Sequence, residues 1–174
     1  MRVKHLALCA FFAALSAALS QLAIPIGPVP ITMTFVSIFL AAGLLGCKLG
    51  TLSQAVYVLM GAVGLPVFSR FSGGLGVILG PTGGFILGYI CCAALSGYLI
   101  DRFSRQDKLL PVFLCVGVVT TYIPGVIWYM LVTGTGAAAA LSACAVPFIP
   151  GDILKIIMCT ILIKRLRPVI LRIM

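Results

Sequence analysis

Two charged residues near the end of the chain are the first that could do chemistry. Asp152 and Lys155 interrupt an apolar stretch, and their spacing puts both on one face of a helix. If Lys164 marks the inner edge of a hydrocarbon layer, Asp152 lies about 18 Å into a layer about 30 Å thick. Each such charge costs about 2.5 to 3.5 kcal/mol to insert, so the pair favours a polar ligand site. The alternative is an ion pair that only locks the helices together.

A glycine-rich stretch from Leu65 to Gly84 is the second candidate. It fits neither a P-loop, which requires Gly-Lys-Ser/Thr, nor a dinucleotide fingerprint. Its apolar residues are interleaved with glycines, which predicts a loop folded over the outer end of the molecule, with backbone groups open to a ligand. The alternative is a tight connector between helices. Gly73 and Gly74 are the candidate binding glycines, and Arg70 either pairs with a ligand carboxylate or lies in water.

Small residues recur at every fourth position of the first apolar segment. Ala10, Ala14 and Ala18, which we call the Ala ladder, allow another helix to approach closely in lipid. The ladder predicts a contact face, either for a helix of the same chain or for a partner.

Residues for other kinds of chemistry are scarce. The one histidine is His5, glutamate is absent, and two of the three aspartates, Asp101 and Asp107, share one charged segment. No paired carboxylates, nucleophile–base pair or metal cluster can be assembled, so neither an enzyme nor a metal site is expected. The seven cysteines form no CxxC pair and are interpreted as free thiols.

The composition indicates which elements hold these residues. Of 174 residues, 62% are hydrophobic and 9% are charged, and the mean hydropathy is +1.26. A soluble domain carries about 25% charged residues, so this chain needs lipid as its solvent. Because one span takes about 20 residues, we predict an all-α integral membrane protein, with residues 1–174 forming a single transmembrane domain of six helices.

Polar, proline and glycine residues delimit the six helices. Their expected bounds are residues 6–24, 31–46, 49–64, 85–100 and 110–132, and a last helix from Pro150 to the basic residues Lys164, Arg165 and Arg167. The first segment could also be a secretory signal, but the five apolar segments that follow favour an uncleaved first helix.

The distribution of basic residues sets the expected orientation, since Lys and Arg are retained on the cytoplasmic side. Ten of the twelve then lie inside: Arg2, Lys4, Lys48, Arg102, Arg105, Lys108, Lys164, Arg165, Arg167 and Arg172. Six helices with both termini cytoplasmic fit this pattern, in a multi-pass protein of the cell membrane. The net charge of +9 then lies along one membrane face, and nucleic-acid binding is not expected.

Four sequence blocks resemble the BioY family. They are Gly-Pro-Val-Pro-Ile-Thr-Met from Gly27, Gly-Leu-Pro-Val-Phe from Gly64, Ser-Gly-Gly-Leu-Gly through Gly-Pro-Thr-Gly-Gly (72–84), and Ile-Pro-Gly-Asp-Ile-Leu-Lys from Ile149. The resemblance runs over nearly the whole chain, with these blocks in the family's order, and the last two blocks together are specific. BioY proteins are the biotin-binding S components of energy-coupling factor (ECF) transporters.

The resemblance implies high-affinity biotin capture in a pocket near the outer end of a six-helix bundle, closed by extracellular loops. It also implies a transmembrane coupling partner, EcfT, and ATPase subunits, EcfA. These partners use the ATP, so no cofactor is expected in this chain. The Ala ladder matches the small-residue face that S components use on their first helix. Arg70 departs from the family, in which a small residue is more usual, and a homo-oligomer stays open.

The same resemblance gives Asp152 and Lys155 a binding role. The ureido ring of biotin offers two N–H donors and one C=O acceptor. We therefore expect Asp152 to accept from the N–H groups and Lys155 to donate to a ligand oxygen. The further pocket candidates are Thr34, Gln54 and Tyr89, with Phe68 and Phe71 for the apolar part of the ligand.

Three alternatives stay open. An S component for a thiamine- or riboflavin-like vitamin would require more aromatic stacking than one tryptophan, Trp128, suggests. A ligand-free structural membrane protein would tolerate joint replacement of the polar pair by apolar residues. A membrane enzyme acting on lipids would require an acid–base set that the sequence lacks.

Overall fold

A computed structural model describes residues 3–25, 27–103 and 107–173 of the chain. Helices dominate it, with one small antiparallel β-hairpin that pairs Ala23 with Thr32. The elements are α1 (Val3–Gln21), β1 (Ala23–Ile24), β2 (Ile31–Thr32), α2 (Thr34–Ala62), α3 (Leu75–Leu79), α4 (Gly83–Arg102), α5 (Leu110–Thr133), α6 (Ala137–Cys144) and α7 (Ile149–Ile173). Short 3₁₀ turns lie at Ser69–Phe71, Asp107–Leu109 and Val146–Phe148.

Helix α2 is two helices that fold back on each other. Gly46 breaks it with φ 77° and ψ −175°, close to the predicted break. Ser16 Oγ lies 2.9 Å from Ser37 Oγ and 3.1 Å from Gln54 Oε1. In one straight helix the last two residues would stand about 25 Å apart, at about 1.5 Å per residue. Residues 34–45 and 47–62 therefore form a helical hairpin.

The predicted helix bounds differ from the structure where prolines intervene. Helix α1 ends at Gln21, and the second helix begins at Thr34 instead of residue 31. Pro25, Pro28 and Pro30 explain both shifts, because a proline disfavours helical backbone at the residue before it. The chain forms the β-hairpin here instead. At the other end, α7 continues through Pro168 to Ile173.

Residues 34–45 form the centre of the bundle, where every side chain is buried. Helices α1, α4 and α7 pack around them. Close approach to α7 depends on Gly43, since a Cβ there would lie 2.5 Å from a side-chain atom of Ile163. Helix α5 packs on the outer side of α4, where a Cβ on Gly88 would lie 3.0 Å from Thr121. Small residues thus set the helix spacing, as is common in membrane bundles.

The bundle has two chemically different ends. The loop end holds the β-hairpin, residues 134–148 and residues 63–82. We call residues 63–82 alone the cap. The terminus end holds the start of α1, the Gly46 turn, the end of α4, the start of α5 and the end of α7. Asp101 Oδ2 accepts a hydrogen bond from Cys47 N at 2.8 Å, which joins two of these terminus-end segments.

Most basic residues belong to the terminus end. Those within the described residues are Lys4, Lys48, Arg102, Lys108, Lys164, Arg165, Arg167 and Arg172, whereas Arg2 and Arg105 lie outside them. Five helical stretches of the described chain are long and apolar enough to cross a membrane, with mean hydropathies of 1.6 to 2.0. Helix α2 counts as one of the five, although its two halves fold back on each other at Gly46.

Candidate ligand-binding site

The charged pair lies at the loop end, in the first two turns of α7. Lys155 Nζ is 2.9 Å from Asp152 Oδ1, and the two residues are 5% and 3% exposed. Asp152 lies in the first turn of the helix, where unpaired N–H groups favour a carboxylate. The Lys155 ammonium also lies 5.8 Å from the ring centre of Phe35, within cation–π range. Both charges therefore have partners although they are buried.

Tyr122 of α5 completes a row of three polar groups. Its hydroxyl donates a hydrogen bond to Asp152 Oδ2. Its ring contacts the rings of Phe35, Phe85 and Phe148, with centroid separations of 6.5, 6.3 and 6.4 Å. Tyr122 was not among the site residues predicted from the sequence. The available signal was a tyrosine inside an apolar helix, since a buried tyrosine hydroxyl usually finds a partner.

A pocket opens beside this row, and we call it the charged chamber. Its walls come from the β-hairpin, α2, α4, α5 and the start of α7. They are lined by Val29, Pro30, Ile31, Thr32, Phe35, Phe85, Tyr89, Tyr122, Phe148, Asp152 and Lys155. A mostly apolar wall with a few convergent polar groups is typical of a small-molecule site.

A second pocket, the hydroxyl chamber, adjoins the first. The two chambers share five lining residues: Val29, Pro30, Thr32, Phe85 and Tyr89. The remaining wall carries several hydroxyl groups and comes from α1, α2, α4 and the cap. It is lined by Ser20, Thr34, Tyr57, Phe68, Ser69, Val77, Thr82 and Ile86. Together the chambers form an elongated site with charge at one end and hydroxyls at the other.

The structure brings several predicted site residues together. Asp152, Lys155 and Tyr89 line the charged chamber, and Tyr89 also lines the hydroxyl chamber with Thr34. Phe68 is 2% exposed and lines the hydroxyl chamber as well.

Other predicted residues lie elsewhere. Arg70 and Phe71 are exposed on the outside of the cap, and Phe71 is 73% exposed. Gly73 and Gly74 lie within the cap without lining either chamber. Gly74 N donates to Gly61 O at 2.7 Å, and a Cβ on Gly73 would lie 2.2 Å from a backbone oxygen. These glycines shape the cap backbone.

Gln54 is fully buried and lines neither chamber. Its Oε1 lies 3.1 Å from Ser16 Oγ, and Ser16 Oγ in turn lies 2.9 Å from Ser37 Oγ. This polar cluster joins α1 to both halves of α2. Its geometry is that of a helix-packing contact.

The cap is held in place by α1. Ser20 Oγ donates to Val67 O at 2.6 Å, and Gln21 Nε2 donates to Phe68 O at 3.0 Å. Gln21 Oε1 accepts from Phe71 N at 2.9 Å. Between these contacts, Arg70 and Phe71 both have positive φ, 61° and 55°, which side-chain-bearing residues rarely adopt. We call these contacts of Ser20 and Gln21 with the cap the clamp. The clamp holds a strained turn over the hydroxyl chamber.

Comparison with known proteins decides the family. The sequence model of the BioY family matches residues 1–172. The chain belongs to the BioY family. This confirms the resemblance drawn from the four sequence blocks.

This BioY protein matches its relatives over almost the whole length of both chains. It is 36% identical to the probable biotin transporter BioY of Pyrococcus horikoshii over 96% of this chain and 98% of that protein. It is 35% identical to the biotin transporter BioY of Thermotoga maritima over 95% and 96% of the two chains. In structure it resembles the S component for biotin from an ECF-type ABC transporter, with a TM-score of 0.89 and 32% identity over 95% of this chain and 92% of that chain.

The Ala ladder of this BioY protein faces outward. Ala10, Ala14 and Ala18 are exposed, whereas the neighbouring Ala13 of the same helix is 1% exposed. Within the described residues, the Ala ladder therefore does not serve as a contact face for another helix of the same chain, which was one of its two predicted uses. The face is open to lipid or to another chain.

Proposed function

We propose that this chain captures biotin as the S component of an ECF-type transporter and takes it up across the cell membrane. One observation carries the proposal. A row of Lys155, Asp152 and Tyr122, of which both charged residues are buried, lines a pocket in a fold that matches the S component for biotin with a TM-score of 0.89.

The row fits the ureido ring of biotin by its donors and acceptors. Asp152 can accept from one ureido N–H group, because a carboxylate has about four acceptor sites and the structure uses one on each oxygen. Lys155 has three N–H donors, of which one points at Asp152. A second can donate to the ureido oxygen. The rings of Phe35 and Phe85 then pack against the apolar thiophane ring.

The valeryl tail of biotin then extends along the shared wall into the hydroxyl chamber. There its carboxylate can accept a hydrogen bond from Ser69 of the cap, or from Thr82 in place of its long bond to Val77 O at 3.4 Å. Arg70 lies on the cap and contributes positive charge near this end. The cap and the β-hairpin close the site over the bound vitamin.

The transport partners follow from what this chain contains. A nucleotide-binding motif is absent from its sequence, so energy from ATP has to come from ATPase subunits, EcfA, through the coupling protein EcfT. The exposed Ala10, Ala14 and Ala18 provide the face on which a partner helix can pack closely. Six spans with both termini cytoplasmic place that face in the bilayer. A homo-oligomer stays a prediction.

Calorimetry of biotin binding to the purified protein in detergent tests this function. The wild type should bind tightly. Asp152→Asn and Lys155→Ala should lose most of the affinity, because Asp152 is the acceptor and Lys155 the donor for the ureido ring. Each also leaves its buried partner unpaired, which costs about 3 to 5 kcal/mol of folding stability, so thermal unfolding should be measured on both variants. A folded wild type that ignores biotin but binds thiamine or riboflavin would refute the choice of vitamin.

A joint replacement distinguishes a binding site from a structural ion pair. Asp152→Leu with Lys155→Leu removes both charges at once, and such replacements are often neutral or stabilising. The double variant should fold as well as the wild type and fail to bind biotin. Retained binding would assign the pair a purely structural role.

A further inference from the structure

We propose that Tyr122 is a positioning residue that holds the Asp152 carboxylate open toward the ligand and so sets selectivity for N–H donors. The inference rests on the proposed function and deepens it. Tyr122 acts through Asp152, and its hydroxyl is committed to that carboxylate before any ligand arrives.

The hydrogen bonds around Asp152 divide its two oxygens between two donors. Lys155 Nζ takes Oδ1 at 2.9 Å, and the Tyr122 hydroxyl takes Oδ2. Each oxygen keeps acceptor capacity for a ligand. Without the Tyr122 hydroxyl, the carboxylate can turn until both oxygens face the ammonium, which has three donors. The acceptors that meet the ligand would then be lost although Asp152 itself is intact.

The surroundings of Tyr122 make it a rigid reference point. Three phenylalanine rings contact its ring, one each from α2, α4 and the turn before α7. The α4 ring is Phe85, which reaches this position because Gly125 lacks a side chain. A Cβ there would lie 2.4 Å from the Phe85 ring. The hydroxyl is therefore fixed by packing from several elements, as a pre-organised site requires.

A consequence for selectivity follows from the chemistry. An open carboxylate offers acceptors only, so it favours ligands with N–H groups and disfavours ligands with an oxygen at the same place. Biotin analogues in which one ureido N–H is replaced by an oxygen, the two cyclic carbamates, measure this selectivity directly. The wild type should bind biotin more tightly than the carbamates.

The test compares biotin and the two carbamates on wild type and Tyr122→Phe, which keeps the ring. The variant should lose biotin affinity about 10- to 100-fold, the range for a hydrogen bond to a charged group. Its affinity for at least one carbamate should change by less than about threefold, so the preference collapses. Equal losses for biotin and both carbamates, or no loss, would overturn the positioning role.

Two controls separate the possible failures. Tyr129→Phe removes a hydroxyl from the same helix, at a buried residue that lines neither chamber, and should leave all affinities unchanged. Thermal unfolding of Tyr122→Phe should stay near the wild type. A folded wild type that does not bind biotin would overturn the proposed function and this inference together. Wild-type binding with an unselective Tyr122→Phe loss would overturn the inference alone.

Discussion

At the residue scale, two sets of polar groups inside this apolar bundle have different tasks. Asp152, Lys155 and Tyr122 border the charged chamber, and Ser16, Ser37 and Gln54 lie between helices. Among the described residues, no buried side-chain nitrogen or oxygen lacks a hydrogen-bond partner. Since an unpaired polar group is costly in lipid, both sets are complete without a ligand. Only the first set has acceptors and donors to spare beside a pocket.

Gln54 provides a prediction that separates the two sets. Gln54→Ala should lower the free energy of unfolding by about 1 to 3 kcal/mol, because it removes a buried hydrogen bond and leaves a cavity. Biotin affinity should stay near the wild-type value, since Gln54 lines neither chamber. Calorimetry and thermal unfolding measure the two effects.

Asp152→Asn differs from Gln54→Ala in that it should lose biotin affinity, and it should also lower the free energy of unfolding by about 3 to 5 kcal/mol, because it leaves the buried Lys155 ammonium without its carboxylate. A Gln54→Ala protein of normal stability and poor biotin affinity would place Gln54 in the ligand site after all.

At this scale, the sequence could predict the residues whose insertion into lipid costs the most free energy. Asp152 and Lys155 are conspicuous because charge in an apolar helix is expensive, and no structure is needed to single them out. Gln54 and Tyr122 carry no such mark. Whether a neutral polar side chain faces a pocket or a neighbouring helix depends on helix rotation, which follows from packing between distant segments.

At the element scale, the turn inside α2 depends on one glycine and one carboxylate. Gly46 has backbone angles that are essentially restricted to glycine, and a Cβ there would lie 2.8 Å from the Asp101 carboxylate. Gly46→Ala should therefore lower the apparent unfolding temperature, with a cost of about 1 to 3 kcal/mol. Asp101→Ala removes the acceptor of the Cys47 N–H and should cost about 0.5 to 2 kcal/mol, as loss of a helix cap does.

Gly136→Ala is the control for this turn. Gly136 has φ −70° and open space where a Cβ would be, so the same substitution should be tolerated. If Gly46→Ala unfolds at the temperature of Gly136→Ala, then the turn is not strained as its angles indicate.

The clamp between α1 and the cap gives a kinetic prediction. Gln21→Ala removes two hydrogen bonds that hold the strained turn at Arg70 and Phe71. At about 0.5 to 1.5 kcal/mol each, their loss should speed biotin dissociation about tenfold or more, because the cap opens more often. Release of labelled biotin into excess unlabelled biotin measures this rate.

Thr51→Ala serves as the control for the clamp, since Thr51 makes a comparable bond to Cys47 O at the opposite end of the bundle. Unchanged dissociation from Gln21→Ala would show that the cap is held by its other contacts, such as that of Trp128 Nε1 with Gly80 O at 3.0 Å.

Element types were largely predictable, and their exact ends were not. Long apolar runs and charged breaks located the long helices, and the break near Lys48 separated the two halves of α2. The β-hairpin was missed because its strands, Ala23–Ile24 and Ile31–Thr32, are too short to show an alternating pattern. The cap was foreseen as a loop, but its clamp by Ser20 and Gln21 depends on contacts about 47 to 50 residues apart.

At the scale of the whole molecule, the number of spans depends on α2. Its halves, residues 34–45 and 47–62, are about 18 and 24 Å long at about 1.5 Å per residue, less than a hydrocarbon layer of about 30 Å. The β-hairpin and the cap lie beyond them at the loop end and can complete the layer there. A count by helix length gives five candidate spans, whereas the fold-back at Gly46 predicts six crossings.

These two counts predict different positions for the chain termini. Five crossings would leave the termini on opposite sides, and six leave them on the same side. The basic residues of the terminus end favour the cytoplasm for both, by the positive-inside rule. Green fluorescent protein and alkaline phosphatase, which report cytoplasmic and external positions, should be fused separately to each terminus and inserted at Thr135. Both termini should give fluorescence without phosphatase activity, and the insertion at Thr135 should give the reverse. Phosphatase activity at one terminus alone would mean that α2 crosses the membrane once, and the contacts of Ser16 with both halves of α2 could not then hold in the bilayer.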